Sequence, residues 1–188
     1  PISFLIWIIS CIISILLAAG AYLDSAELVI LSLFLNFLAM ALYVLSRFPE
    51  ETQLFSTISR QVLGIIYISL PLSLLIFIRQ MDEGILWLLW LLIVVFINDT
   101  CAFYFGTFFG KRRLAPKISP NKTIEGSLGG IGGAVLVGLI VAQLFFHDFS
   151  LSLQTIPCAF LLAVSGQIGD LFESAMKRTS MIKDSGSI

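Results

Sequence analysis

The sequence predicts an all-α fold, a polytopic transmembrane helical bundle of about six spans. Three observations carry that prediction. First, the 188 residues are 58% hydrophobic and 12% charged, about half the charge of an average soluble domain. Second, six long charge-free stretches follow one another: Pro1–Leu23, Leu28–Ser46, Gln61–Ile78, Gly84–Asn98, Gly126–Phe146 and Phe149–Gly169. A spanning helix takes about 20 apolar residues, with a range of roughly 17–25, and only the fourth stretch falls short. Third, ten of the eleven Lys and Arg residues fall on one side when the connecting loops are assigned to alternate faces. This composition excludes a disordered chain, a collagen-like chain, a water-soluble single domain and a basic nucleic-acid binder.

Pro1–Leu23 ends in a signal-like Ala19-Gly20-Ala21, but it has no basic leader and exceeds a usual signal core. It is expected to be a retained span, and because the chain starts with Pro1 its natural start is expected to be missing. Leu28–Ser46 is the second span. Arg47–Arg60, with Phe48, Pro49, Leu54, Phe55 and Ile58, reads equally as an interfacial amphipathic helix or as a polar turn. Gln61–Ile78 is the third span.

The fourth stretch is apolar for fifteen residues, meets Asn98-Asp99-Thr100, and then continues uncharged to Gly110. A helix over Gly84–Phe109 places Asp99 inside the membrane, where a charge costs about 2.5–3.5 kcal/mol on insertion scales. Such a residue faces a polar cavity or is tied to a neighbouring helix. Gly106 and Gly110 form a small-xxx-small pair suited to close helix contact. Next, Lys111–Lys122 carries five cations in twelve residues, and Pro116 and Pro120 prevent continuous helix. With Ser119, Asn121 and Thr123 beside them, these cations suit a polyanion, or else anchor the loop to anionic headgroups. The six glycines of Gly126–Gly138 lack the Gly-Lys-Ser/Thr ending of a nucleotide loop, and they imply close packing of the fifth span.

The sixth span runs into Asp170, Glu173 and Lys177, which share one helix face, with Ser174 and Arg178 on an adjoining strip. Carboxylates and cations together at a membrane boundary hold Mg²⁺ and phosphate, or pair with one another. Asp99, Asp170 and Asp184 are the carboxylates available as Mg²⁺ ligands. The single histidine, His147, falls on the opposite face beside Asp148. This disfavours histidine general-base chemistry and favours transfer by positioning and charge neutralisation. Cys11, Cys101 and Cys158 have no metal-ligand or disulfide spacing and read as small apolar packing residues. The chain divides into a membrane region over 1–83 and a catalytic region over 84–188. The basic face is expected to be cytoplasmic.

The run Ser174-x-x-Lys177-Arg178-x-x-x-x-Lys183-Asp184-x-Gly186 resembles the signature of the phosphatidate cytidylyltransferase family, also called CDP-diacylglycerol synthases. Asn98-Asp99, Gly106-x-x-x-Gly110-Lys111 and Ser119-Pro120-x-Lys122-Thr123-x-Glu125-Gly126 look like the same family. The resemblance implies a multi-pass inner (plasma) membrane enzyme of phospholipid biosynthesis. That enzyme condenses CTP with phosphatidate to CDP-diacylglycerol and pyrophosphate on the cytoplasmic side. It further implies dependence on Mg²⁺, with or without a second cation, a homodimer among membrane lipids, and no nucleic-acid partner.

The resemblance says that these positions matter; the roles are assigned by us. Asp184 is the first catalytic and metal-binding candidate, with Lys183 and Asp170 as further catalytic candidates and Asp170 and Asp99 as supporting carboxylates for the metal. Lys177, Arg178 and Lys183 hold phosphates of CTP or phosphatidate, with Ser174 beside them. Ser119, Asn121, Lys122, Thr123 and Glu125 form the other substrate-binding loop. The family signature continues into a His-Gly-Gly segment and an Asp-Arg-x-Asp ending, whereas this sequence stops at Ile188. The 188-residue chain alone is therefore expected to be inactive, although drawn from an active enzyme. Rival expectations are a CTP-dependent polyprenol or lipid kinase and a transporter for an anionic substrate.

Overall fold

A computed structural model describes residues 4–48, 54–146 and 149–179. Six helices among them are long and apolar enough to cross a membrane. They are α1 (Phe4–Tyr22), α2 (Ala26–Arg47), a third span over Leu54–Gln80, α5 (Gly84–Phe109), α6 (Ile124–Phe146) and α7 (Phe149–Thr179). The third span comprises α3 (Leu54–Gly64), a π-helical turn (Ile65–Ser69) and α4 (Leu70–Gln80). The fold is all-α with one addition, an antiparallel hairpin of β1 (Arg113–Ala115) and β2 (Ser119–Thr123). Two compact units are recognised, Pro1–Trp87 and Leu88–Ile188.

In the first unit, Asp24 takes a left-handed conformation (φ 51°) and Ser25 Oγ caps α2 by accepting from the Leu28 amide at 3.3 Å. That short turn folds α2 back on α1, so that Ile13, Leu17, Val29 and Ile65 form a shared core. Two polar pairs inside these spans meet across helices: Gln61 Nε2 donates to Asn36 Oδ1 at 2.6 Å, and the Ser14 and Ser69 hydroxyls lie 2.7 Å apart. Hydrocarbon offers no water to replace such bonds, so burial forces the pairing. Within the segment Arg47–Arg60, Arg47 ends α2 and residues 54–60 are the first turns of α3, continuous with the third span, while residues 49–53 lie outside the described residues. The π turn precedes Pro71, whose missing N–H leaves the preceding helix turn free to widen.

In the second unit, α6 presents Gly126, Gly130, Ala134, Gly138 and Ala142 on one buried face at four-residue intervals. The α5 residues Trp90, Val94 and Asn98, also four apart, are buried. The two stripes meet antiparallel. A Cβ at Gly138 would touch Val94, one at Gly130 would lie 2.8 Å from the Asn98 carbonyl oxygen, and one at Gly126 would lie 2.9 Å from Gly106 Cα. Trp90 Nε1 donates to the Gly138 carbonyl at 2.8 Å, which fixes this register. α7 packs along α6 through small residues that include the buried Ala159 and Ala163. The glycines therefore pack helices, as their spacing implies.

Candidate active site

The α5–α6 connection is built by its own side chains. Thr123 Oγ1 accepts from the Gly126 amide at 3.1 Å and so caps α6, which ends the strand and starts the helix at one residue. Glu125, in the first turn of α6, accepts from the Lys111 and Arg112 amides at 3.0 and 3.2 Å. The Ile124 amide donates to the Arg112 carbonyl at 2.9 Å. A carboxylate at a helix N-terminus is favourably placed, and here it also fastens the incoming strand. The two prolines, expected to break the segment into a loop, are accommodated in and beside a hairpin whose register shifts between Arg113 and Ala115. Glu125→Ala is expected to loosen this root. Amide exchange at Lys111 and Arg112 should quicken on the order of tenfold while α7 is unchanged, as read by hydrogen–deuterium exchange.

The hairpin, α5, α6 and α7 enclose a cleft of about 870 Å³. Its wall from α5 runs from Asp99 through Ala102 and Gly106 to Gly110, and its opposite wall carries Gln167 and Asp170 of α7. Lys111, Arg113 and Lys122 bring three cations to the lining, against the two carboxylates of Asp99 and Asp170. One ion pair ties the walls together: Lys122 Nζ lies 3.0 Å from Asp170 Oδ2, with the side chains 30% and 53% exposed. Arg178 Nε donates to the Ile118 carbonyl, a second tie from α7 to the hairpin turn. A lining with a surplus of cations and two nearby carboxylates suits a polyphosphate bound with a divalent cation.

Of the expected site residues, Asp99, Ser119, Asn121, Lys122, Thr123 and Asp170 line this one cleft. Glu125, Ser174, Lys177 and Arg178 do not line it. Glu125 holds the hairpin, Arg178 reaches its turn, and Lys177 pairs with Glu173 at 2.6 Å. The shared face of Asp170, Glu173 and Lys177 thus splits, with Asp170 turned to Lys122 and the other two paired together. Lys183 and Asp184 lie outside the described residues, as does His147. Among the described residues no three acidic, His or Cys side chains form a metal-binding group. Sequence reasoning also passes over Gln167 and Ser127. Their cue was a Gln between Gly166 and Gly169 and a Ser inside the glycine-rich run of α6, neutral signals that no charge count detects.

The family model for the cytidylyltransferase family matches residues 1–188 of the chain. A phosphatidate cytidylyltransferase of Staphylococcus haemolyticus is 35% identical over 174 residues, covering 91% of this chain and 63% of that protein. One of Staphylococcus aureus is 36% identical over 157 residues, covering 82% and 57%. One of Bacillus subtilis is 40% identical over 143 residues, covering 74% and 52%. The chain thus spans between about half and under two-thirds of the length of these curated relatives.

Proposed function

The chain belongs to the cytidylyltransferase family, and from that membership we propose that the protein condenses CTP with phosphatidate to CDP-diacylglycerol and pyrophosphate. The observation that carries this reading is the cleft itself: three cations and two carboxylates gathered where α5, α6 and α7 meet the hairpin. Phosphatidate keeps its acyl chains among membrane lipids while CTP arrives from water, so the reaction belongs at such a boundary. The basic-loop distribution supports a cytoplasmic-facing boundary, and we take the membrane to be the cell inner membrane and the protein to act as a homodimer, as the resemblance implies.

A phosphatidate oxygen attacks the α-phosphorus of CTP, and pyrophosphate leaves. Lys111, Arg113 and Lys122 hold phosphate oxygens and offset charge that develops on the leaving pyrophosphate. Asn121 and Ser119 supply hydrogen-bonding groups to orient the substrate. Asp99 and Asp170 offer the hard oxygen donors that Mg²⁺ prefers, and one or two carboxylates completed by substrate phosphates are its usual set. The donor chemistry fits, with Asp184 as a further candidate. The ion, when bound, supplies Lewis-acid stabilisation of phosphoryl oxygens. Lys122 then has two alternative partners, Asp170 before substrate binds and phosphate afterwards.

The test uses the full-length protein in phosphatidate-containing liposomes. Label at the α-phosphate of CTP is expected to enter lipid, and label at the γ-phosphate is expected to appear in pyrophosphate. Transfer of γ-label to lipid would instead mark a kinase and overturn the proposal.

A further inference from the structure

Asn98 is 1% exposed and does not line the cleft, yet it adjoins Asp99, which does. The direction of its carboxamide is set from outside. The Ser127 main-chain carbonyl can only accept, so the Gln167 atom 3.0 Å from it is Nε2. The second hydrogen of that Nε2 goes to Asn98 Oδ1, also at 3.0 Å. Asn98 is therefore left with Nδ2 toward its neighbour, and Nδ2 donates to Asp99 Oδ1 at 3.3 Å. The Ser127 hydroxyl donates to Gln167 Oε1 and completes the set. Gly130 makes room, since a Cβ there would lie 2.9 Å from Asn98 Oδ1.

We propose that Asn98 is a positioning residue that holds the Asp99 carboxylate toward the cleft, its amide direction dictated by Ser127 through Gln167. Asn98 touches neither the cleft nor anything bound in it, so it acts through Asp99. Gln167 sits three residues before Asp170 on α7, so one short stretch of that helix carries both a cleft carboxylate and the residue that directs the Asn98 amide. The inference rests on the reading of Asp99 as a divalent-cation ligand. Partners that orient a metal-binding carboxylate typically change metal affinity about 10–100-fold when removed.

The test measures Mn²⁺ binding to the substrate-free, full-length protein by electron paramagnetic resonance. Asn98→Leu, which keeps size and removes the donor, is expected to weaken Mn²⁺ binding about tenfold. Asp99→Asn should weaken it at least as much, and the double variant should bind no more weakly than Asp99→Asn alone. Unchanged affinity in Asn98→Leu, or losses that multiply in the double variant, overturns the positioning role. If Asp99→Asn itself leaves affinity unchanged, the metal reading of Asp99 fails first and takes this inference with it. Should a thermal melt show Asn98→Leu unfolded, Gln167→Met decides. It removes the donors that direct the Asn98 amide, and wild-type Mn²⁺ affinity in that variant overturns the proposal.

Discussion

On the proposed reaction, Lys122→Ala in the full-length protein is expected to lower CDP-diacylglycerol formation by about 10²–10³-fold, the scale of removing one preorganised electrostatic contact at a transition state. Lys122 is the cation most tightly committed to the cleft, for it joins β2 to Asp170 across the opening at 3.0 Å. Its loss leaves two lining cations against two carboxylates, where the native cleft has three. A bound polyphosphate then meets an uncompensated Asp170. Lys122→Arg restores the charge but not the compact ammonium and is expected to recover only part of the rate. The check is initial rates over a CTP series. The kcat should fall along with kcat/KM, because the contact serves the charge that develops on the leaving group. A loss below about threefold in both would show that Lys122 is only a hairpin fastener.

A large structural effect is expected at Gly126. A Cβ there would lie 2.7 Å from the Ala102 carbonyl oxygen and 2.9 Å from Gly106 Cα. Both are backbone atoms of the facing helix, so no side chain can rotate away to relieve the contact. Gly126→Val must separate α5 from α6, and overpacking of this kind costs about 1–3 kcal/mol. At about 2–4 °C per kcal/mol for a protein of this size, the thermal midpoint should drop by several degrees. Because Gly126 also donates to the cap oxygen of Thr123, the hairpin root shifts with it and activity should fall too. Gly132 provides the matched control, since a Cβ there meets nothing within 4 Å. Gly132→Ala should hold or raise the midpoint, because Ala is favoured over Gly within a helix by about 1 kcal/mol. Melting curves of the detergent-solubilised variants compare the two directly.

The spans were legible because hydrocarbon forces long uncharged runs, and α5 extends over Gly84–Phe109 as the sequence reading requires. The glycine face of α6 was legible for a similar reason, since small residues at four-residue spacing have one main use in a membrane. The hairpin was not. Strands of three and five residues separated by a short turn are too brief for alternation to register, and two prolines argue locally for loop. The charged face of α7 was legible in composition but not in pairing. Helical spacing puts Asp170, Glu173 and Lys177 together, yet Asp170 turns to Lys122, 48 residues earlier, which spacing along one helix cannot reveal. Gln167 was hidden for the opposite reason: it carries no charge, and its importance lies in which atoms donate.

The set formed by Asn98, Ser127 and Gln167 also bears on how the chain is made. Asn98 enters the membrane with α5, but the group that satisfies its Oδ1 lies 69 residues later in the chain. At roughly 5–20 residues per second of synthesis, that group emerges about 3–14 s after Asn98 does. During that interval the Asn98 amide oxygen lacks its partner from α7. An unsatisfied amide is costly in hydrocarbon, so the nascent helix is expected to settle at its final depth only once the last span arrives. Because Gln167 and Asp170 lie three residues apart on α7 and both line the cleft, docking of that helix is expected to bring the two to the site together.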